Sequence, residues 1–466
     1  MKHKSSFTDI YGSCLFSALL LVIVLFYAGC STTEHDRFFS DKIIGKKPLP
    51  ITIRFLGQWK NEGLRELWVR DFCREYEFTH QEIKIDLEFP EDIYYTREDP
   101  LSNSKFVASI VKEKNPAWDV IRLNNEYTQI DFISKDLQWA KKGLVDFSNI
   151  EEFKKNTLSY LDSDSVRELW HGIIPGPFIE GVNWALWCNK AVAKKIGITV
   201  KQFGMTFDDF LGYMKAANEY NKSHKDYIIP LFEANDWKTT YAVAFQLYAS
   251  ELANQQDFFT DAVSEKKFKA WGKTLHALQQ LSIYKPLSDR CDTLHWEVGK
   301  NLILEDKCLF FSNGSWMYNI WLKYNPEKMN DIMPTEYPVF KPTNLYIGAY
   351  QIMWGVLKNA PHREDAIKFL LAWTTPSVTE QWERYTKCSY GSKSNFSTVF
   401  FGKDQFSIFT NYIDHKYRAN KYFWDANSKY IVGYSKRTIP FYSKEVLQGT
   451  ITADDAILRM KKEAGR

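Results

Sequence analysis

The chain has 466 residues, 60 Lys and Arg against 57 Asp and Glu, and 45% apolar residues. This length suits two or three domains, the composition excludes wholesale disorder, and a net charge of +3 argues against a dedicated nucleic-acid binder. Seven cysteines in so long a chain exclude a disulfide scaffold, whereas 16% aromatic residues exceed the obvious needs of core packing. Some of these aromatic rings are therefore candidates for ligand contacts.

The N-terminal segment has the features of an export signal. A basic start precedes an apolar run at 14–28, which is shorter than the roughly 20 residues of a membrane span and typical of a signal-peptide core. The small residues before Cys30 resemble the lipobox of bacterial lipoproteins, in which the signal is removed and the cysteine is lipidated. The sequence thus predicts a signal peptide at 1–29 and a lipidated Cys30 with a tether at 30–47. An uncleaved N-terminal anchor is the alternative, and both place the protein outside the cytoplasm.

The first part of the predicted folded body alternates strands and helices. Alternating apolar residues predict strands at 51–55, 83–89 and 118–121, and helical spacing predicts helices at 64–76 and 106–114. A β-α-β-α-β order favours an α/β layer built on a parallel sheet.

The remainder of the chain continues this mixed pattern. Further strands are predicted at 182–188, 228–232 and 309–311, and further helices at 190–196, 207–220, 241–252, 266–281, 363–373 and 452–462. Thr206 and Thr452 are the predicted N-caps of two of these helices. No low-complexity linker occurs, which favours lobes joined by several short crossings.

Catalytic motifs are missing from the sequence. It contains no phosphate loop, dinucleotide fingerprint, zinc-protease motif or nucleophile elbow, and its nine His residues have no metal-ligand spacing. We therefore expect a binding protein rather than an enzyme, with no catalytic residues, no metal and no cofactor.

Several segments, taken in order, resemble the extracellular solute-binding proteins of carbohydrate uptake, the relatives of maltose-binding protein. The most specific is FSNGSW at 311–316, which is near the family's N-G-[SP]-W. The others are GIIP at 172–175, ALWCNK at 185–190, MTFDDF at 205–210, the stretch 347–377 and the terminal stretch 446–456. Cys188 stands where the family has an aromatic residue, and Phe207 stands where it has Trp.

The resemblance implies an α/β, two-lobed periplasmic-binding-protein-like fold of type II, with several hinge crossings and a ligand cleft between the lobes. The implied N-terminal lobe is 48–165 plus 338–385, and the implied C-terminal lobe is 170–333 plus 390–466. Lobes of this kind close around a ligand that contacts both of them. The implied function is a monomeric lipoprotein that captures a sugar or oligosaccharide and delivers it to the membrane permease of an ABC transporter.

Sugars present an apolar face that stacks on aromatic rings and a rim of hydroxyls that polar side chains bind. The expected ligand contacts combine both kinds of side chain: Gln58, Trp59, Asn125, Glu126, Trp184, Trp237, Trp316, Tyr350, Gln351 and Arg437. Trp316 leads this set, because it matches the Trp that stacks on sugar in the family. Ordinary packing remains the alternative for the Trp residues, and helix capping for Asn125.

Other functions stay open at this point. The same fold could hold a peptide, a polyamine or a phosphorylated metabolite, or serve as a sensor subunit beside a membrane receptor. An extracytoplasmic glycoside hydrolase would need two carboxylates roughly 5 to 10 Å apart in the cleft.

Overall fold

The computed structural model describes residues 50–96, 99, 101–124, 126–234, 242–252, 265–287, 295–393, 402–417, 421–422 and 438–463. The strands are β1 (Ile51–Leu56), β2 (Ile83–Glu88), β3 (Val120–Arg122), β4 (Phe178–Asn189), β5 (Ile229–Phe232), β6 (Cys308–Gly314), β7 (Ile332–Thr335), β8 (Tyr346–Ile352), β9 (Trp354–Val356) and β10 (Lys421–Tyr422). The helices of the first half are α1 (Leu64–Thr79), α2 (Pro90–Ile93), α3 (Ser102–Ile110), α4 (Tyr127–Ser134), α5 (Trp139–Gly143), α6 (Glu151–Asn156), α7 (Asp164–Leu169), α8 (Lys190–Lys195) and α9 (Phe207–Ser223). Those of the second half are α10 (Ala242–Leu252), α11 (Glu265–Ser282), α12 (Trp296–Leu304), α13 (Trp316–Tyr324), α14 (Arg363–Ala372), α15 (Pro376–Thr386), α16 (Gln405–Tyr417), α17 (Thr438–Gln448) and α18 (Ala453–Glu463).

The first sheet has the strand order β2-β1-β3-β9. Strands β1, β2 and β3 are parallel, which confirms the predicted β-α-β-α-β layer, and β9 joins β3 in the antiparallel direction. Alternation along β1 buries Ile53 and Phe55 completely, and α1 covers the sheet with a buried stripe that includes Trp68 and Phe72. A first hydrophobic core, between 53 and 179 and again between 350 and 390, surrounds this sheet.

The second sheet is built around one long strand. Its order is β10-β8-β4-β6-β5, with β7 also paired to β4. Strand β4 is antiparallel to β6, β7 and β8, and all twelve of its residues are buried. A nearly continuous apolar run is what a strand buried on both faces requires. A second hydrophobic core, between 182 and 347 and again between 406 and 460, packs on this sheet.

Local capping chemistry fixes the start of α9. The Thr206 side chain accepts a hydrogen bond from the backbone N–H of Asp209, and the Asp209 side chain accepts one from the backbone N–H of Thr206. This reciprocal capping box confirms Thr206 as the predicted N-cap.

The chain passes between the two cores three times. Along β4 it leaves the first core at Ile179 and enters the second at Val182, and along β8 it returns between Ile347 and Tyr350. The third passage lies after Tyr390. The predicted lobe boundaries at 165–170 and 333–338 lie earlier in the chain than the first two of these points.

No helix within the described ranges combines the length and the apolar character that crossing a membrane requires. The predicted signal, Cys30 and the tether lie outside the described residues.

Candidate functional site

A buried arginine occupies the place where the two cores meet. Arg65 lies in the first turn of α1, is 2% exposed, and forms ion pairs with Glu62 and with Glu180 of β4. Glu180 is 1% exposed and stands on the strand that passes from one core to the other. The guanidinium therefore ties the helix of the first core to the strand that both cores share.

Two tryptophan rings flank this arginine. The Arg65 guanidinium carbon lies 5.3 Å from the ring centroid of Trp59 and 5.8 Å from that of Trp316, both within cation–π range. Trp184 meets Trp316 edge to face, with ring centroids 5.2 Å apart. Three of the predicted site residues are thus brought together in what we name the junction cluster: Trp59, Glu62, Arg65, Glu180, Trp184 and Trp316.

Trp59 has an unusual backbone. Its φ angle is +72°, a left-handed conformation that bulky residues rarely adopt. Its side chain hydrogen-bonds to Glu180 and its ring packs against Trp354 and Trp382. Strain of this kind concentrates at ligand-binding and hinge positions, so Trp59 stays a candidate ligand contact although its ring is part of the first core.

Burial dominates the electrostatics of the junction cluster. It raises the pKa of Glu180, and the attraction of Arg65 opposes that rise. Burial alone would lower the pKa of Arg65, but the two carboxylates hold it above its usual value. The arginine therefore stays protonated and is the positive charge that the buried Glu180 contacts.

The loop before α1 approaches α13 closely at Gly63. A Cβ on this residue would lie 2.3 Å from the backbone oxygen of Asn319 in α13, and the φ angle of Gly63 is +70°. Glycine is therefore required twice, for space and for backbone conformation. The N-terminal end of α1 rests directly on α13, beside the start of that helix at Trp316.

A second buried polar network joins the crossing segments. The backbone C=O of Asn183 in β4 accepts from the backbone N–H of Ser315, and the backbone N–H of Asn183 donates to the Ser315 hydroxyl. The Asn183 side-chain amide donates to Asp414 of α16 at 3.3 Å. Ser389, just before the third passage, donates to the same Asp414 oxygen at 2.8 Å. These residues hold the passages in fixed register, and Asp414 carries no local sequence signal that identifies this role.

Polar side chains also line the carboxyl edge of the first sheet, where parallel α/β sheets place their ligand sites. Glu126, after β3, accepts hydrogen bonds from Ser104 at 2.6 Å and Asn103 at 3.1 Å. Arg122, at the end of β3, pairs with Glu91 at 3.2 Å. Glu126 is thus held in place by α3.

Two buried atoms on this edge have no hydrogen-bond partner among the described residues: Gln58 Oε1 after β1 and Arg122 Nε at the end of β3. The first can accept a hydrogen bond and the second can donate one. A buried polar atom without a partner is uncommon, and hydroxyl groups of a ligand would satisfy both.

The two predicted contacts Tyr350 and Gln351 lie on opposite faces of the second sheet. Gln351 is opposite Glu180 in the β4–β8 register, so these two side chains lie on the same face, toward Arg65. Tyr350 is opposite Gly181 and lies on the other face, with its ring centroid 6.0 Å from that of Tyr160. Gln351 therefore lies on the face of the junction cluster, whereas Tyr350 packs into the first core.

The other predicted contacts, Asn125, Trp237 and Arg437, lie outside the described residues. Within the described ranges, no group of His, Cys, Asp and Glu side chains is arranged to hold a metal ion.

Sequence reasoning also missed Glu233, a 1% exposed carboxyl after β5 in the second core. Burial raises its pKa to about 8. Hydrogen bonds from Ser312 and from the backbone N–H groups that begin α10 act in the opposite direction and lower the pKa. The run of apolar residues before it in β5 predicts the strand, but a lone Glu after a strand does not indicate burial.

Residues 62–380 match the family model described as bacterial extracellular solute-binding protein. Comparison with curated protein sequences finds no match. The GacH receptor of Streptomyces glaucescens, solved unliganded and in complex with acarbose, is 15% identical, with a TM-score of 0.64 over 89% of this chain and 98% of that one.

Two further solved structures are similar at the same level. RafE of Streptococcus pneumoniae, in complex with raffinose, is 14% identical, with a TM-score of 0.60 over 89% of this chain and 98% of that one. Maltose-bound MalE3 of T. maritima is 12% identical, with a TM-score of 0.62 over 89% and 98%. At these identities the likeness concerns the fold, and it confirms the two-lobed α/β architecture.

Proposed function

Because the chain belongs to the bacterial extracellular solute-binding protein family, we propose that it captures a sugar or oligosaccharide between its two lobes. Its place is extracytoplasmic, as the family implies. The observation that carries the proposal is the pair Trp59 and Trp316, one from each lobe, flanking the buried Arg65. Flat aromatic rings beside charged and amide groups are the side chains that sugar rings and hydroxyls require.

Arg65 occupies the space in which a sugar would stack on the two rings. Its guanidinium faces both rings, so a sugar that stacks on Trp316 must either move this side chain or bind after the lobes have separated. A ligand favours closure only through contacts that the open state does not make. Gln58, next to Trp59 in the chain, and Gln351, opposite Glu180, provide hydrogen-bonding groups near the aromatic pair. The solutes of the similar structures, acarbose, raffinose and maltose, support a neutral oligosaccharide.

The test is a titration of the full chain with a panel of oligosaccharides, read by calorimetry and by tryptophan fluorescence. We expect micromolar binding of at least one sugar, a fluorescence change, and about tenfold or greater weakening in Trp316→Ala. Trp316→Phe keeps an aromatic ring and should retain most of the affinity. Tyr227→Ala, at a 53% exposed ring, is the matched control.

A panel that gives no binding, or a Trp316→Ala variant that binds as tightly as the unchanged chain, would contradict the proposal. The alternatives, a peptide, a polyamine or a phosphorylated metabolite, belong in the same panel. Binding of one of these with no sugar binding would keep the family function and replace the solute.

Delivery to an ABC transporter and attachment through a lipid on Cys30 complete the proposed function. The residues before Cys30 and the apolar run at 14–28 support attachment, and the family supports the transporter. Mass spectrometry of the N-terminal peptide from membranes tests the lipid. A monomer is expected, and reconstitution with the permease distinguishes delivery from a sensor role.

One observation favours a glycoside hydrolase as the second candidate. Glu62 and Glu180 bind the same guanidinium, and burial raises the pKa of both. Glycoside hydrolases use a pair of carboxyl groups, one of which has a raised pKa, as their catalytic groups. We propose binding without turnover, because both carboxyls are engaged by Arg65. Release of reducing sugar that Glu180→Gln abolishes would reverse this choice.

A further inference from the structure

Two large apolar side chains near the end of α4 face the solvent. Phe132 is 79% exposed and Leu137 is 59% exposed, whereas Tyr127 and Ile130 of the same helix are buried in the first core. The helix ends at Ser134, and its C-cap Lys135, with a left-handed φ of +54°, leads into the turn at Leu137. The first core does not explain either exposed side chain.

Lysines surround this turn. Lys142 Nζ lies 2.7 Å from Asp136 Oδ2, and Lys112 adds to the charge around the same carboxylate. The Lys358 side chain donates to the backbone oxygen of Lys141, which brings it to the same place. We name the set the α4–α5 surface: Lys112, Phe132, Lys135, Leu137, Lys141, Lys142 and Lys358.

The acidic groups nearby do not balance these lysines. Asp136 is paired with Lys142, which holds the pKa of that carboxyl below its usual range. Asp131 points toward the protein, because it binds the indole N–H of Trp139 and lies 2.7 Å from His171. Glu113 adds one exposed carboxylate next to Lys112 in the chain. Five lysines against these few carboxylates leave the surface positive.

We propose that the α4–α5 surface docks the folded body onto an anionic lipid bilayer. Exposed Phe and Leu side chains enter the interfacial region of a membrane, and lysines around them bind the phosphate groups of acidic lipids. Each lysine near such a surface strengthens binding by about fivefold at low salt. Two separate, exposed apolar side chains suit a fluid lipid surface better than they suit a protein partner, which would offer a shaped pocket.

The docking differs from anchoring and does not depend on the solute. The lipid proposed on Cys30 would keep the chain associated with a membrane by its N-terminus after the export signal is removed. That attachment alone leaves the orientation of the folded body free. Contact through the α4–α5 surface would present one side of the first lobe to the membrane.

Lysine footprinting of the full chain tests the proposal. The chain is placed on vesicles of phosphatidylcholine alone or of phosphatidylcholine with one quarter phosphatidylglycerol, and lysines are acetylated and quantified by mass spectrometry. We expect Lys112, Lys135 and Lys141 to react several-fold more slowly on the anionic vesicles. Lys461 and Lys462 of α18, exposed on the second lobe, serve as internal controls and should not change.

Two further arms make the test decisive. Salt at 0.5 M should remove the protection, because it screens exposed charges. The double variant Phe132→Ser/Leu137→Ser should reduce it, whereas Phe78→Ser, at an 80% exposed ring elsewhere on the first lobe, should not. Equal reaction rates on the two kinds of vesicle overturn the proposal. Protection that appears only when a membrane protein is added also overturns it and assigns the surface to that protein.

Discussion

Two buried glutamates in this molecule have opposite surroundings. Glu180, at the junction of the lobes, and Glu233, inside the second lobe, are both 1% exposed, and burial raises the pKa of both carboxyls. Glu180 contacts a guanidinium, whereas the hydrogen-bond partners of Glu233 are the Ser312 hydroxyl and backbone N–H groups. The junction pairs its buried carboxyl with a cation, whereas the interior of the second lobe holds its carboxyl with a proton.

The two surroundings make stability depend on different changes, a substitution in one region and a rise in pH in the other. A buried ion pair is damaged when one partner is removed, since the other charge is left in a medium of low dielectric constant. A buried protonated carboxyl is damaged when the pH rises, since ionisation has the same consequence without any mutation. The junction should therefore be sensitive to substitution, and the interior of the second lobe to pH.

The largest effect is expected from Arg65→Met. The substitution leaves Glu180 buried without its cation and should lower the free energy of unfolding by about 3–5 kcal/mol. Denaturant unfolding measures it. The matched control is Arg167→Met, because Arg167 also contacts two carboxylates, Asp162 and Asp164, but its side chain is 27% exposed. That control should cost less than about 1 kcal/mol, and equal losses in the two variants would refute the contrast.

The pH dependence of Glu233 gives the second effect. Its folded pKa of about 8 lies above the ordinary value of 4.5, so its contribution to stability is complete below pH 4.5 and is lost as the pH rises through 8. The loss over that window should be roughly 3–5 kcal/mol. Glu233→Gln stays neutral, so the variant should lack this part of the decline. Thermal unfolding at several pH values measures both proteins, and parallel curves would show that Glu233 does not titrate in this range.

Local pattern was enough to predict most of the fold. Strands β1 and β4 and helices α1 and α9 were predicted because apolar periodicity and helix capping depend on residues that are close together in the chain. Strand β9 was not predicted, because its antiparallel partner β3 is far away in the chain and no local pattern links the two.

The site was predictable only where one residue carried its own signal. Trp59 and Trp316 were predicted as ligand contacts because a Trp after a strand, or within a family motif, stands out, and the structure places both rings beside Arg65. Arg65 was missed because an arginine in the first turn of a helix is ordinarily exposed, and its partner Glu180 is 115 positions away. Asp414 and Asn183 are separated by 231 positions, which no local pattern spans.

The smallest effect is expected at a surface carboxylate, which serves as a reference for the two buried glutamates. Asp209 caps α9 at the surface, where burial would raise its pKa but bonds from Lys201 and Thr206 hold it below the usual value. Asp209→Asn should cost at most about 1 kcal/mol at pH 7, since an exposed capping group contributes little more. The stability that Asp209 contributes changes with pH in the direction opposite to that of Glu233. A lowered folded pKa gives stability that is present above the unfolded value near 3.8 and is lost as the pH falls. The variant and the unchanged chain should therefore converge below pH 4 and differ above it, and a difference that grows toward low pH would mean that Asp209 acts through something other than its charge.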